Sequence, residues 1–269
     1  MAISTLVGDE LRVELVRTVL TYLTIVTMTL VLGIPVMVVK LVTGRVDPRS
    51  RLADAPGIWA RWVLRAAGTR VALHNAERAR HDDARVYISN HVSWFEIFAL
   101  ATVLPRFRFV AKKELGRIPI FGPAVAEVAG IFIDRRNRRA AFETYRTAAQ
   151  QMQGGASVVV YPEGTRGRSY ELRPFKKGPF VLAIAAQAPV VPVICYGTRE
   201  IQGKGDIRIR RGTAELTFLE PIPTAGMTYE DRDRLLGVVW ERMAAELEKR
   251  YGVRSQVGET AATGAAGRA

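Results

Sequence analysis

Residues 18–39, TVLTYLTIVTMTLVLGIPVMVV, contain no charged side chain. A helix of about 20 residues matches the hydrocarbon thickness of a bilayer. The run is longer than the apolar core of a cleaved leader and shows no A-x-A-like cleavage site. Gly33 and Pro35 predict a kink or break in its last third. Thr18, Thr21, Thr24 and Thr27 recur every three residues as one slightly polar stripe. That pattern is compatible with a segment that spans, re-enters or lies on the interface; a buried core helix is the soluble alternative. The basic residues Lys40, Arg45, Arg49 and Arg51 follow it, which puts the remainder on the cytoplasmic side of a membrane. The polar, Pro-punctuated stretch 43–57 reads as a connecting loop. IWARWVLRAAG then sets Trp59, Trp62 and Val63 on one helical face with Arg61 and Arg65 nearby, fitting either a headgroup-level helix or docking onto a core.

Beyond Gly68 the pattern alternates. RVYIS, RFRFVA, GIFID, SVVVYP and VVPVICY are short β-branched runs of buried-strand type, and DIRIRRGTAELTFLE reads as a late hairpin. Helical periodicity occupies 94–104, 138–153, 179–187 and 229–251. Strands separated by helices predict an α/β fold: an open, mostly parallel sheet flanked by helices, behind an N-terminal membrane-associated helical segment. The expected division is a helical region over 1–68, an α/β domain over 69–252 and a disordered tail over 253–269, whose end is small, polar and aperiodic.

Charge narrows the partners. The 269 residues carry 39 basic against 26 acidic side chains, a formal net charge of +13. Such an excess calls for an anionic partner: an acidic membrane surface, a phosphorylated small molecule or nucleic acid. No nucleic-acid module supports the last. The single cysteine, Cys195, excludes an internal disulfide and a multi-cysteine metal site.

ISNHVSWFEIF places His91 and Glu96 five residues apart at a strand-to-helix junction. Ser93 and Glu96 satisfy the capping-box pattern, so Glu96 has a structural role available. His91 falls at the carboxyl rim of the sheet, where open α/β folds bind ligands. A carboxylate in the first helical turn also reaches an imidazole there and fixes its tautomer. The second cluster, VVVYPEGTRGRS, runs from a strand into a tight turn. Gly164 lets the backbone approach a ligand and Arg166 offers a bidentate donor, although a solvated turn has the same composition. The third, FVAKKELGRIPIFGP with GIFIDRR, makes the rim cationic, as a membrane-facing surface would also be. No G-x-S-x-G elbow, H-E-x-x-H pair or phosphate loop is present.

In this order the blocks NHVSWFE, KKELGRIPIFG…GIFIDR, YPEGTR and VVPVICYG resemble the glycerolipid acyltransferases, most closely the bacterial 1-acyl-sn-glycerol-3-phosphate (lysophosphatidate) acyltransferases. The likeness covers residues 87–198. Two positions depart from the family pattern: Glu96 stands where an aspartate is usual, and Gly167 where a serine often follows E-G-T-R. The resemblance implies transfer of an acyl group from acyl-CoA or acyl carrier protein to a lysophosphatidate-like hydroxyl, at the cytoplasmic face of a membrane. It implies His91 as base with Glu96 as its partner, and Lys112, Arg135 and Arg166 on the acceptor phosphate. Glu163, Gly164 and Thr165 complete the acceptor pocket. Backbone amides at the helix start are expected to receive the oxyanion. No metal or redox cofactor is implied. The alternatives are another lysolipid acceptor, or a basic membrane-surface protein without turnover.

Overall fold

The computed structural model describes residues 2–79, 81–134, 136–152 and 155–256. Helix α1 (Ala2–Thr43) is followed by α2 (Ala55–Ala66). Then come β1 (Thr69–His74), β2 (Val86–Ser89), α3 (Phe95–Val103), β3 (Phe107–Lys112), α4 (Phe121–Val128), β4 (Gly130–Ile133), α5 (Arg138–Met152) and β5 (Ser157–Val160). The chain continues through α6 (Gly178–Ala186), β6 (Val190–Tyr196), the short α7 (Thr198–Ile201), β7 (Gly212–Phe218) and α8 (Arg232–Tyr251).

The strands form one seven-stranded sheet in the order β1-β7-β6-β2-β5-β3-β4. All neighbouring pairs are parallel except β6–β7, so the sheet is mostly parallel as the alternating pattern requires. Every residue of β2 and β5 is buried, which explains why both read as continuous apolar runs instead of alternating ones. Successive side chains still part to opposite faces. Tyr87 joins the cluster formed with α2 and α3, while Val86 and Ile88 join the one formed with α5, α6 and α8.

Two departures from the sequence reading lie in the sheet. The late hairpin does not form: the stretch before β7 is irregular, and its alternation serves α1 instead, where Ile209 is buried and its N–H donates to the Thr18 hydroxyl. β7 pairs with β6 and β1. The unanticipated β1 is only half-buried.

Of the kink or break expected in α1, the break does not occur. The helix runs unbroken through Gly33 and Pro35 to Thr43. Proline removes one intrahelical donor, and the flanking turns carry the helix past it. Gly33 has a separate reason: a Cβ there would lie 2.9 Å from Ile120 Cγ2, so its absence lets α1 settle against α4. Ile120 itself has φ 64 and ψ −54, and the Phe121 N–H donates to the Pro119 carbonyl at 2.6 Å across it. This is a strained γ-turn on a β-branched residue, held by the packing around it. The threonine stripe satisfies itself: the Thr18, Thr21 and Thr24 hydroxyls donate to carbonyls four residues back. One face of α1 packs on α2 and α4. The other exposes Val19, Leu23, Val31, Ile34 and Val38. Over Glu10–Thr43 the helix is long and apolar enough to cross a membrane by length and composition.

The two tryptophans of α2 separate instead of sharing a face. Trp59 turns inward, its Nε1–H donating to the Thr29 hydroxyl at 3.2 Å and its ring meeting Phe98 edge-on. Trp62 is exposed, with the Arg65 guanidinium over it at 5.6 Å. The start of the expected disordered tail is held on the domain: Val253 packs against the α8 cluster and the Leu172 N–H donates to Ser255 Oγ at 2.9 Å. The tail from residue 257 onward lies outside the described residues.

Candidate active site

β2 ends the buried centre of the sheet, and Asn90 clamps that end to β6. Its side-chain amide donates to the Cys195 carbonyl at 2.9 Å and its oxygen accepts the Cys195 N–H at 2.8 Å. The chain can then leave the sheet edge at His91 without orphaning backbone groups. The His91 ring stacks on Tyr161, which follows β5, with centroids 4.1 Å apart and planes at 23°. The buried Tyr161 hydroxyl has no hydrogen-bond partner among the described residues.

Glu96, fully buried, divides its carboxylate between two tasks. Oε2 lies 2.7 Å from His91 Nδ1. Oε1 accepts the N–H groups of Val92 at 2.7 Å and Ser93 at 2.9 Å, and the Thr198 hydroxyl at 3.2 Å. Burying a carboxylate without such partners would be costly. Half of the capping box is therefore made. The other half is displaced: Ser93 Oγ accepts the Phe95 N–H at 3.2 Å and donates to the Gln202 carbonyl at 2.7 Å. Among the helix-start amides, those of Val92, Ser93 and Phe95 are already engaged within the loop. In the tautomer that donates Nδ1–H to Glu96, His91 Nε2 is the acceptor nitrogen.

The turn after β5 is fastened to the same loop. Glu163 Oε1 accepts the His91 N–H at 2.9 Å, and the Gly167 N–H donates to the His91 carbonyl at 2.6 Å. Gly164 takes φ 78 at the apex, a conformation glycine adopts freely. Glu163 Oε2 accepts Arg173 Nε at 2.7 Å, and the same guanidinium reaches the Thr165 hydroxyl at 3.0 Å and the Thr165 carbonyl. Burial pushes the Glu163 carboxyl above its ordinary value, opposed by Arg173 and the His91 N–H. Glu163 and Thr165 thus meet Arg173, which nothing in the sequence pattern singled out. Thr198, just past β6, was equally invisible, since its link to Glu96 joins residues far apart in the chain.

Arg166 is half-buried, with its guanidinium over the Trp94 ring at 4.9 Å. Both residues border a cavity of about 720 Å³. Its walls are almost wholly apolar, drawn from the inner face of α1 (Ile25, Thr29, Gly33), from Trp59 and Phe98, and from Phe132 on β4. Lys112 is exposed at the carboxyl end of β3, two strands from His91 on the same sheet edge. The structure therefore brings His91, Glu96, Glu163, Gly164, Thr165 and Arg166 together and sets Lys112 further along the rim. Arg135 lies outside the described residues.

Comparison with known proteins agrees with this architecture. The Acyltransferase family model matches residues 70–196. The 1-acyl-sn-glycerol-3-phosphate acyltransferase of Haemophilus influenzae is 32% identical over 204 residues, covering 72% of this chain and 83% of that protein. The human 1-acyl-sn-glycerol-3-phosphate acyltransferase alpha is 34% identical over 166 residues, covering 61% of this chain. The chain spans only 59% of that human relative's length. Among solved structures, the 1-acyl-sn-glycerophosphate acyltransferase PlsC of Thermotoga maritima superposes with a TM-score of 0.71 at 23% identity, covering 90% of this chain and 100% of that one, and so shares the fold. With its sheet, its ordered blocks and a bacterial relative matched over most of its length, the chain belongs to the acyltransferase family that includes the 1-acyl-sn-glycerol-3-phosphate acyltransferases.

Proposed function

We propose that the protein moves a fatty acyl group from a thioester, acyl-CoA or acyl carrier protein, to the sn-2 hydroxyl of 1-acyl-glycerol-3-phosphate, giving phosphatidic acid. The observation that carries this reading is the 2.7 Å contact between His91 Nδ1 and the buried Glu96 carboxylate, beside an apolar cavity edged by Arg166. A thioester is already activated, so the site needs mainly a base, positioning and charge balance. His91 Nε2 takes the proton of the acceptor hydroxyl as its oxygen attacks the thioester carbonyl. Glu96 balances the imidazolium while the tetrahedral intermediate lasts. Collapse breaks the carbon–sulfur bond, and the departing thiolate recovers the proton from His91.

Arg166 and Lys112, with Arg135, bind the acceptor phosphate, for which paired guanidinium and ammonium donors are suited. Glu163, Gly164 and Thr165 form the wall of the acceptor pocket, braced by Arg173. The apolar cavity takes an acyl chain, since its lining offers a hydrocarbon tail nearly continuous nonpolar contact. α1 seats the domain on a membrane, where acceptor and product reside, with the catalytic domain at its cytoplasmic face.

The test is detergent-solubilised protein with labelled acyl-CoA or acyl carrier protein and a panel of lysolipids. Lysophosphatidate should be the preferred acceptor. His91→Ala should lower turnover by a factor of about 10² to 10⁴, the usual contribution of a positioned base, while the denaturant midpoint holds. Turnover that survives the substitution removes the base from the mechanism, and preference for another lysolipid reassigns the acceptor.

A further inference from the structure

Tyr161 is buried beside the His91–Glu96 pair, and its hydroxyl has no hydrogen-bond partner among the described residues. A buried hydroxyl left in that state costs stability, so the contribution of this side chain lies in its ring. That ring lies against the His91 imidazole, centroids 4.1 Å apart and planes at 23°.

The placement comes from the sheet. β2 and β5 are parallel neighbours with Ile88 opposite Val160, so His91 and Tyr161 leave adjacent strands at the same edge. The turn then fixes the tyrosine: the Gly164 N–H donates to its carbonyl at 3.1 Å, and the Lys176 N–H donates to the next carbonyl, that of Pro162, at 2.9 Å. On the inner side the ring belongs to the apolar cluster formed with α2 and α3.

One hydrogen bond fixes only one edge of an imidazole. The Glu96 contact at Nδ1 leaves the ring able to tilt about the Nδ1···Oε2 line. A near-parallel aromatic face resists that tilt, and a face contact covers neither in-plane nitrogen, so Nε2 keeps its direction open. The same face is electron-rich, and a cation within about 6 Å of such a ring is attracted to it. Burial, reinforced by Glu96 and Cys195, pushes the Tyr161 phenol well above its ordinary value, so the ring stays neutral. We propose that Tyr161 is a positioning residue for His91, its ring face holding the imidazole plane and steadying the charge gained with the acceptor's proton. The proposal rests on the acyl-transfer reading and adds a residue to it.

Replacements at this position separate ring from hydroxyl. Tyr161→Leu should lower kcat at least about tenfold with both KM values held. Tyr161→Phe, which returns the ring without the hydroxyl, should rescue kcat and raise the denaturant midpoint. Pentafluorophenylalanine at the same position keeps a ring of similar shape but reverses the charge of its face, and should lose kcat as leucine does. The comparison of Phe with its fluorinated form decides even where Tyr161→Leu does not fold. Histidine-labelled NMR of the full chain in detergent reads the contact without turnover. The His91 ring protons, assigned by their loss in His91→Ala, should lie upfield under the ring current in wild type and Tyr161→Phe. Unchanged kcat in Tyr161→Leu, a loss shared by Tyr161→Phe, full activity in the fluorinated form, a loss carried by KM, or unshifted His91 protons in wild type overturns the proposal. Shielded His91 protons in a wild-type protein that transfers no acyl group defeat the reaction proposed above and leave the stacked pair standing.

Discussion

At the scale of single residues, Glu96 joins fold and chemistry in one side chain. Its Oε1 closes the loop by accepting two backbone N–H groups and a hydroxyl, and its Oε2 faces the imidazole. The longer glutamate, where the family pattern has aspartate, spans from the first turn of α3 back to His91 and still caps. Glu96→Gln separates the two tasks. The amide oxygen can still accept the Val92 and Ser93 N–H groups, so the denaturant midpoint should move little. Its NH₂ then faces Nδ1 and demands the opposite tautomer, leaving Nε2 protonated and unable to act as base. Turnover should fall on the order of 10³-fold. Full activity in this variant, measured with lysophosphatidate, would show that the carboxylate does no more than close the loop. The His–Glu pairing was legible because both groups lie within one loop. Arg173 was not, because its contact to Glu163 depends on how the 166–172 segment folds back.

Among the elements, those with a single environment were the most readable. β2, β5 and β6 are mostly apolar and almost wholly buried because they are central and covered on both faces. Elements with mixed surroundings misled: β1 alternates between half-buried and exposed, and α4 hides behind Gly122 and Pro123, which resemble a turn. Gly122 is needed there, because a Cβ would collide with the Gly116 backbone. The IRIRR stretch has strand-like alternation, yet its inward residue packs on a helix. α1 carries the clearest element-level test. Val19 and Leu23 are 49% and 56% exposed and face away from the apolar cavity. Val19→Arg together with Leu23→Arg should cut partitioning onto lipid vesicles by at least about tenfold, since each apolar side chain is worth about 1.5–3 kcal/mol on burial. The denaturant midpoint in detergent should hold. Unchanged vesicle binding would place the membrane contact elsewhere, on Trp62 or the basic surface.

Across the whole molecule, α8 is tied back to the sheet through aromatic stacking. Tyr251 lies on Tyr196 with centroids 3.8 Å apart, and Tyr196 lies on Tyr170 at 4.3 Å. The Tyr251 hydroxyl donates to Glu215 at 3.0 Å, and burial is the main cause that pushes its phenol from 10.0 up to about 12. In the unfolded chain that phenol ionises first, so the native state binds more protons between those values and stability falls as pH rises through the interval. Denaturant midpoints measured from pH 9 to 12 should show a shallower decline in Tyr251→Phe than in wild type; parallel curves would mean the hydroxyl contributes nothing to the alkaline transition. One contact described earlier reaches furthest. The join between Gly33 and Ile120 borders the apolar chamber, where two remote parts of the chain touch without a covalent link. Its tightness depends on a hydrogen atom standing where other amino acids carry carbon. Alanine there would wedge the long helix outward and press on the γ-turn, loosening the greasy wall that the two share.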